Sequence, residues 1–183
     1  MANIKSLPTV YGGIRYRSRL EARWAVFLDY MDIDFIYEPE GYTDGKVCYL
    51  PDFWLPAHEL FIEIKPGPLS DAEEAKAKMV VEGTGHRLLA LIGFPMEPIQ
   101  FMADMKRTNL YGRFERDGKT RYRMSYCSYF VQCGCSRVDI RDYSVEPDWL
   151  TCDCDDFRPN FLNLNMAAQK ARSFQFVGGV ANG

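Results

Sequence analysis

The hexapeptide Leu60-Phe61-Ile62-Glu63-Ile64-Lys65 constrains this chain more than any other stretch. On a strand, the two-residue period sends Leu60, Ile62 and Ile64 to one face and Glu63 and Lys65 to the other. A carboxylate and an ammonium therefore emerge side by side from an element whose opposite face belongs to a core. Ten residues separate Glu63 from Asp52, which closes the segment Tyr49-Leu50-Pro51-Asp52. If the strand before it pairs with this one, Asp52 comes to lie next to Glu63. Two hard oxygen donors with a lysine beside them suit Mg²⁺, which takes one or two carboxylates and completes its shell with water and substrate phosphate. The plainer reading of Glu-x-Lys is a strand with a solvated polar face.

The flanking sequence predicts helices and strands in alternation. From Ser18 to Met31, Leu20, Trp24, Phe27, Leu28 and Met31 form one apolar stripe, with Ser18 as cap and Glu21 as its capping-box partner. Short strands are expected at Asp34 to Glu38, Val47 to Trp54 and Leu60 to Lys65, set apart by Gly, Asp and Pro turn signals. Ser70 opens a second helix rich in acidic residues in its first turn, with Ala75, Met79 and Val80 on one side and Gly83 and Gly85 at its end. A strand from Arg87 to Ile92 follows. The expected class is α/β, with a mixed sheet against helices, complete by about residue 94. Beyond it, residues 109–131 alternate around Asp117-Gly118 as a β-hairpin, and Asn160 to Arg172 reads as a last helix carrying Leu162, Leu164, Met166 and Ala171.

The helix YRSRLEARWAVFLDY, followed by YLPDFWL and LFIEIKPG, resembles the PD-(D/E)XK nuclease superfamily. The likeness is to its branch with a glutamate on the first helix, as in archaeal-type Holliday-junction resolvases and the cleaving subunit of some transposases, and especially to small bacteriophage-encoded members. It covers roughly residues 15–93, and the order of elements is similar to the family's restriction-endonuclease-like αβββαβ core. The resemblance implies that Asp52 and Glu63 ligate Mg²⁺ or Mn²⁺, joined by the backbone carbonyl of Ile64. It implies that Lys65 acts on the attacking water or on developing phosphorane charge, and that Glu21 completes the metal site. Glu21 also suits the capping box. Lys76 and Lys78 stand where some relatives place a further basic or polar residue.

Two basic groups are candidate DNA contacts. Arg15, Arg17, Arg19 and Arg23 cluster around the first helix, and arginine forks match phosphate oxygens. In and before the hairpin, Lys106, Arg107, Arg113, Arg116, Lys119, Arg121 and Arg123 outnumber Glu115 and Asp117, with Tyr111, Phe114, Tyr122 and Tyr126 interleaved. Cys133-Gly-Cys135 and Cys152-Asp-Cys154, separated by residues 136–151, are compatible with a structural Zn²⁺ bound by four thiolates. Free thiols and an iron-sulfur cluster are the alternatives, and Cys127 is a substitute ligand, because each knuckle has one intervening residue where two are commoner. Cys48 reads as a buried strand residue. His58 and His86, near turns, read as surface residues rather than catalytic bases.

The chain has 183 residues, 47% hydrophobic and 26% charged, enough for one core and an accessory. The expected organisation is a nuclease core at 15–94, a basic hairpin and zinc module at 106–158, and a terminal helix and tail at 159–183. No run of eighteen apolar residues occurs and the opening residues lack the apolar segment of a signal peptide, so a soluble protein in the bacterial host cytoplasm is expected, without membrane contact. A net charge of -3 means that DNA must be held by local patches. The functional expectation is a metal-dependent DNA endonuclease. Its rivals are a junction or branch resolvase, expected as a homodimer, and a catalytically silent adaptor for nucleic acid or for a phage or host protein.

Overall fold

The computed structural model describes residues 6–43, 45, 47–67, 69–95, 110–114, 120–124, 130–132, 138–140 and 161–176. Two short strands, β1 (Thr9–Tyr11) and β2 (Ile14–Tyr16), pair antiparallel ahead of helix α1 (Arg19–Tyr30). After α1 come β3 (Ile36–Tyr37), β4 (Tyr42–Thr43), β5 (Cys48–Tyr49), β6 (Phe53–Leu55) and β7 (Leu60–Lys65). Helix α2 (Asp71–Thr84) leads to β8 (Arg87–Ile92). Further along are β9 (Leu110–Phe114), β10 (Thr120–Met124), β11 (Phe130–Gln132), β12 (Val138–Ile140) and α3 (Phe161–Ser173).

The central sheet has the order β3-β6-β7-β8. Its first three strands are antiparallel neighbours, whereas β7 and β8 run parallel. A parallel pair requires a crossover, and α2 supplies it. The protein is thus α/β with a mixed sheet. Leu60, Ile62, Ile64, Phe53, Leu55, Leu89 and Leu91 form one sheet face, which is buried with Trp24, Phe27 and Leu28 of α1 and with Leu164, Ala167, Ala168 and Ala171 of α3. Burying each large apolar side chain contributes about 1.5–3 kcal/mol, so this layer is the main source of stability. Phe61 and Leu88 point the opposite way and pack with Ala77, Val80 and Val81 of α2. Among the described residues, no helix is long and apolar enough to cross a membrane.

Local chemistry accounts for the helix limits. The Ser18 hydroxyl accepts the Glu21 N–H and caps α1. Ser70 and Glu73 form a reciprocal capping box at α2. Gly85, with φ of 73°, ends α2, while Gly83 lies within it. Arg23, half-buried, donates to the carbonyls of Ala171 and Arg172 at the C-terminus of α3, where the helix dipole favours a cation.

Several expectations need correction. The strand expected from Val47 to Trp54 is broken at Leu50-Pro51-Asp52: among the described residues Cys48–Tyr49 pairs with Tyr42–Thr43, and the sheet strand starts at Phe53. Cys48 lies on that small outlying ribbon and is exposed, not buried. On α2 the buried line is Ala77, Val80 and Val81, and Ala75 faces solvent. On α3, Leu162 is 71% and Met166 46% exposed, because the buried stripe is made of Leu164 and three alanines. The α3 side packed into the core is thus built from one leucine and three alanines. The β1–β2 hairpin was not anticipated, although its Gly12-Gly13 turn, with φ of 56° and 80°, is a recognisable hairpin signal.

Candidate active site

Strand β6 positions Asp52 and strand β7 positions Glu63 and Lys65. Phe53 pairs with Ile62, so extending the antiparallel register by one residue sets Asp52 against Glu63. Both carboxylates are 4% exposed. Glu63 and Lys65 share the α2-facing side of β7, as alternation requires, but Glu63 is buried rather than solvated. That burial removes the reading of β7 as a strand with a plain polar face.

Each acidic group is held by named partners. The Ile64 N–H donates to Asp52 Oδ2 at 2.7 Å, and Arg17 Nη2 lies 2.7 Å from Asp52 Oδ1. Lys65 Nζ bridges Glu63 Oε1 at 2.9 Å and Glu73 Oε1 at 3.0 Å. Glu63 Oε2 is buried and finds no hydrogen-bond partner among the described residues. Glu21, at the start of α1, accepts from the Ser18 hydroxyl at 2.6 Å and from the Tyr37 hydroxyl at 2.6 Å. Glu21 thus binds the Ser18 hydroxyl and not the Ser18 N–H, so the reciprocal capping box expected at α1 is not formed, and its carboxylate reaches the cleft.

The cleft measures about 610 Å³, and Arg17, Glu21, Asp52, Glu63, Lys65 and Lys76 all line it, together with Ile64, Tyr49 and Glu73. The Ile64 backbone also opens into it. Residues alternate in the direction of their carbonyls along a strand; the Lys65 carbonyl accepts the Gly93 N–H on the β8 side, so the Ile64 carbonyl turns with its N–H toward Asp52.

Electrostatics follow from this crowding. Burial, then the Glu63 charge, raises the Asp52 carboxyl well above the usual carboxylate range, against the Ile64 N–H and Arg17, which pull it down. Burial would lower Lys65, but Glu63 and Glu73 outweigh it and hold the ammonium above its ordinary value. The Ser70 backbone and hydroxyl donors, then Lys65, hold Glu73 down at about 2. Burial, followed by the Glu63 charge and a hydrogen bond from the phenol to Glu63, raises the Tyr49 phenol.

Among the described residues, no three His, Cys, Asp or Glu side chains converge as a ready metal cage. Each carboxylate instead has a partner of its own: Arg17 on Asp52, Lys65 on Glu63, and Ser18 and Tyr37 on Glu21. What the cleft does offer is a set of hard oxygens: two adjacent carboxylates, one with an unpartnered oxygen, and a carbonyl. This donor set fits Mg²⁺ or Mn²⁺ and suits neither a soft metal nor a redox cluster.

The remaining expected site residues divide. Arg15 and Arg19 are exposed near the cleft end of α1. Arg17 is not a bare surface cation but an ion-pair partner of Asp52 and Glu38, and Arg23 is taken up by α3. Arg113 and Arg121 are register partners in the β9–β10 pair, and Arg123 pairs with Tyr111. Cys127, Cys133, Cys135, Cys152 and Cys154 lie outside the described residues. Tyr37, Glu38, Tyr49 and Glu73 belong to the site and were missed. For Glu73 a signal existed, since a capping-box glutamate eight residues after Lys65 begins the crossover helix that returns over β7. Comparison of the chain with protein-family models, with curated proteins and with solved structures finds no match.

Proposed function

We propose that the chain is a divalent-metal-dependent endodeoxyribonuclease of the PD-(D/E)XK kind. The observation that carries this reading is the burial of Asp52 and Glu63 side by side, with Glu63 Oε2 finding no hydrogen-bond partner among the described residues and Lys65 alongside. A buried pair of like charges is costly to keep in a fold, and a site for a hard cation is the chemistry that makes use of it. Counting the strands of the central sheet, the order helix, three strands, helix, strand is also that of the family the sequence resembles.

In this reading Asp52, Glu63 and the Ile64 carbonyl hold Mg²⁺ or Mn²⁺, with Glu21 next to them. The bound cation supplies Lewis acidity toward the phosphate and a more acidic water. Hydrolysis adds the water oxygen to phosphorus and releases one ester oxygen as an alcohol. Lys65, clamped between Glu63 and Glu73, remains an ammonium, which suits it to neutralise charge growing on the phosphorane oxygens more than to remove a proton. Arg15, Arg17 and Arg19, with Arg113, Arg121 and Arg123 of the β9–β10 hairpin, seat the DNA backbone. A zinc ion held by the distal cysteines is the companion structural proposal.

The test is cleavage of supercoiled, linear, single-stranded and four-way-junction DNA in Mg²⁺, Mn²⁺ or EDTA by wild type, Asp52→Ala and Lys65→Ala. Metal-dependent cutting lost in both variants is the expected result, and the preferred substrate separates an endonuclease from a resolvase. Survival of every substrate in Mn²⁺ with folded protein would end the nuclease reading and favour an adaptor.

A further inference from the structure

Resting on that reading, we infer that Arg17 is an internal latch on the metal site: its guanidinium occupies the cation's place on Asp52 and gives it up when metal binds. Arg17 Nη2 stands 2.7 Å from Asp52 Oδ1, while the other Asp52 oxygen is committed to the Ile64 N–H at 2.7 Å. Both oxygens of the principal ligand are thus engaged, and the guanidinium's charge competes directly with a cation at Oδ1. The two partners differ sharply in accessibility. The Asp52 side chain is 5% exposed and that of Arg17 55%, so an outer arm reaches onto a buried carboxylate.

The surroundings give that arm a second station. Arg17 Nε lies 2.6 Å from Glu38 Oε1, and Glu38 sits at the rim with its side chain 29% exposed. Its backbone is held in the left-handed region, φ of 47°, while its N–H donates to the Asp52 carbonyl at 2.9 Å. A non-glycine residue kept in that conformation beside a ligand marks an imposed position. The Arg17 main chain is also anchored, its N–H lying 2.9 Å from the Tyr37 hydroxyl and 3.2 Å from Glu21 Oε2. Release of the latch is therefore a side-chain movement, with Glu38 as the retained anchor.

Once a cation takes Oδ1, charge repulsion expels the guanidinium from Asp52. At the mouth of the cleft its planar fork matches a phosphate oxygen pair. Metal and DNA phosphate then assist each other: metal frees Arg17 for phosphate, and phosphate, by drawing Arg17 outward, lowers competition at Asp52. Such coupling is reciprocal by thermodynamic necessity.

The experiment measures Mn²⁺ dissociation constants by calorimetry, without DNA, for wild type, Arg17→Gln, Arg17→Lys and Arg15→Gln, with KM for DNA cleavage measured in parallel. Arg17→Gln is expected to bind Mn²⁺ about tenfold more tightly than wild type, while its KM for DNA rises. Arg17→Lys, which lacks the fork, is expected to show a smaller tightening. Arg15→Gln makes the same charge change without a contact to Asp52, and its Mn²⁺ affinity should stay near that of wild type. Equal tightening in the Arg15 and Arg17 variants would reduce the effect to general electrostatics and overturn the latch. Unchanged or weaker binding in both Arg17 variants, with a wild type that binds Mn²⁺ and cuts DNA, would overturn the latch alone. Absence of Mn²⁺ binding in wild type and every folded variant would overturn the latch together with the metal site.

Discussion

The backbone N–H of Ile64 donates to Asp52 Oδ2 at 2.7 Å in a buried setting, which ties the catalytic candidate of one strand to the main chain of the next. The bond fixes the carboxylate's orientation without neutralising its charge, and Glu63 stands beside it with an oxygen that finds no partner among the described residues. Stability and chemistry therefore pull in opposite directions at this point.

One consequence is that Glu63→Gln should stabilise the metal-free protein. The change removes one of two adjacent buried charges while keeping the shape, and the gain expected is about 1 kcal/mol. Thermal unfolding in EDTA at alkaline pH, above the raised pKa of Asp52, measures it. The same variant should lose cleavage and most of the rise in Tm that Mn²⁺ gives the wild type. A lower Tm in EDTA would mean that the Glu63–Lys65 ion pair outweighs the repulsion.

The sign of the pH dependence follows from Asp52. Burial and Glu63 raise its folded-state pKa above the unfolded value, so the folded state binds the extra proton. This contribution is fully present below about pH 4, the unfolded value, and is lost as pH rises through the elevated folded one. Glu73 works in the reverse sense: its pKa is held at about 2, so its contribution is present above the unfolded value and lost only as pH falls toward about 2. In EDTA, Tm should decline from mildly acidic to alkaline pH, more in wild type than in Asp52→Asn, and Mn²⁺ should restore most at the alkaline end. Parallel profiles for the two proteins would show that Asp52 is not the titrating group.

Lys65 should be separable from metal binding. Lys65→Met removes the ammonium and leaves Asp52 and the Ile64 carbonyl in place, so kcat is expected to fall by about 10²–10³-fold with Mn²⁺ affinity retained or increased. Glu73→Gln keeps a side chain able to cap α2 but removes the charge beside Lys65. Its kcat should fall by a smaller factor, with a modest fall in Tm from the lost Glu73 charge. A loss in Glu73→Gln matched by a large drop in Tm would instead place Glu73 only in the helix cap.

How far these features were legible depends on their range. The β7 and β8 limits and the capped starts of α1 and α2 are written locally, in alternation and in Ser-x-x-Glu spacing, and the structure has them where the sequence puts them. The meeting of Asp52 and Glu63 needed one further assumption, the pairing of β6 with β7, which holds. Contacts made across the fold left no local trace. Tyr37 reaches Glu21 because β3 ends next to the start of α1, and Glu38 meets Arg17 through a left-handed turn that nothing in Tyr-Glu-Pro requires. Cys48 was misjudged for a similar reason, since membership of a strand does not tell whether the strand joins the main sheet.

The α3 stripe yields a prediction of its own, because the structure replaces large anchors with small ones. Ala167, Ala168 and Ala171 are fully buried against α1 and Leu164 is 2% exposed, whereas Leu162 is 71% exposed on the far side. Enlarging the close-packed side should cost more than trimming the open one. Ala168→Leu is expected to destabilise by about 1–3 kcal/mol through overpacking, and Leu162→Ala to stay within about 0.5 kcal/mol of wild type. Denaturant unfolding of the whole chain with matched m-values checks both. An Ala168→Leu protein as stable as wild type, or a Leu162→Ala protein that is clearly weakened, would show that α3 does not seal the core through its alanine face.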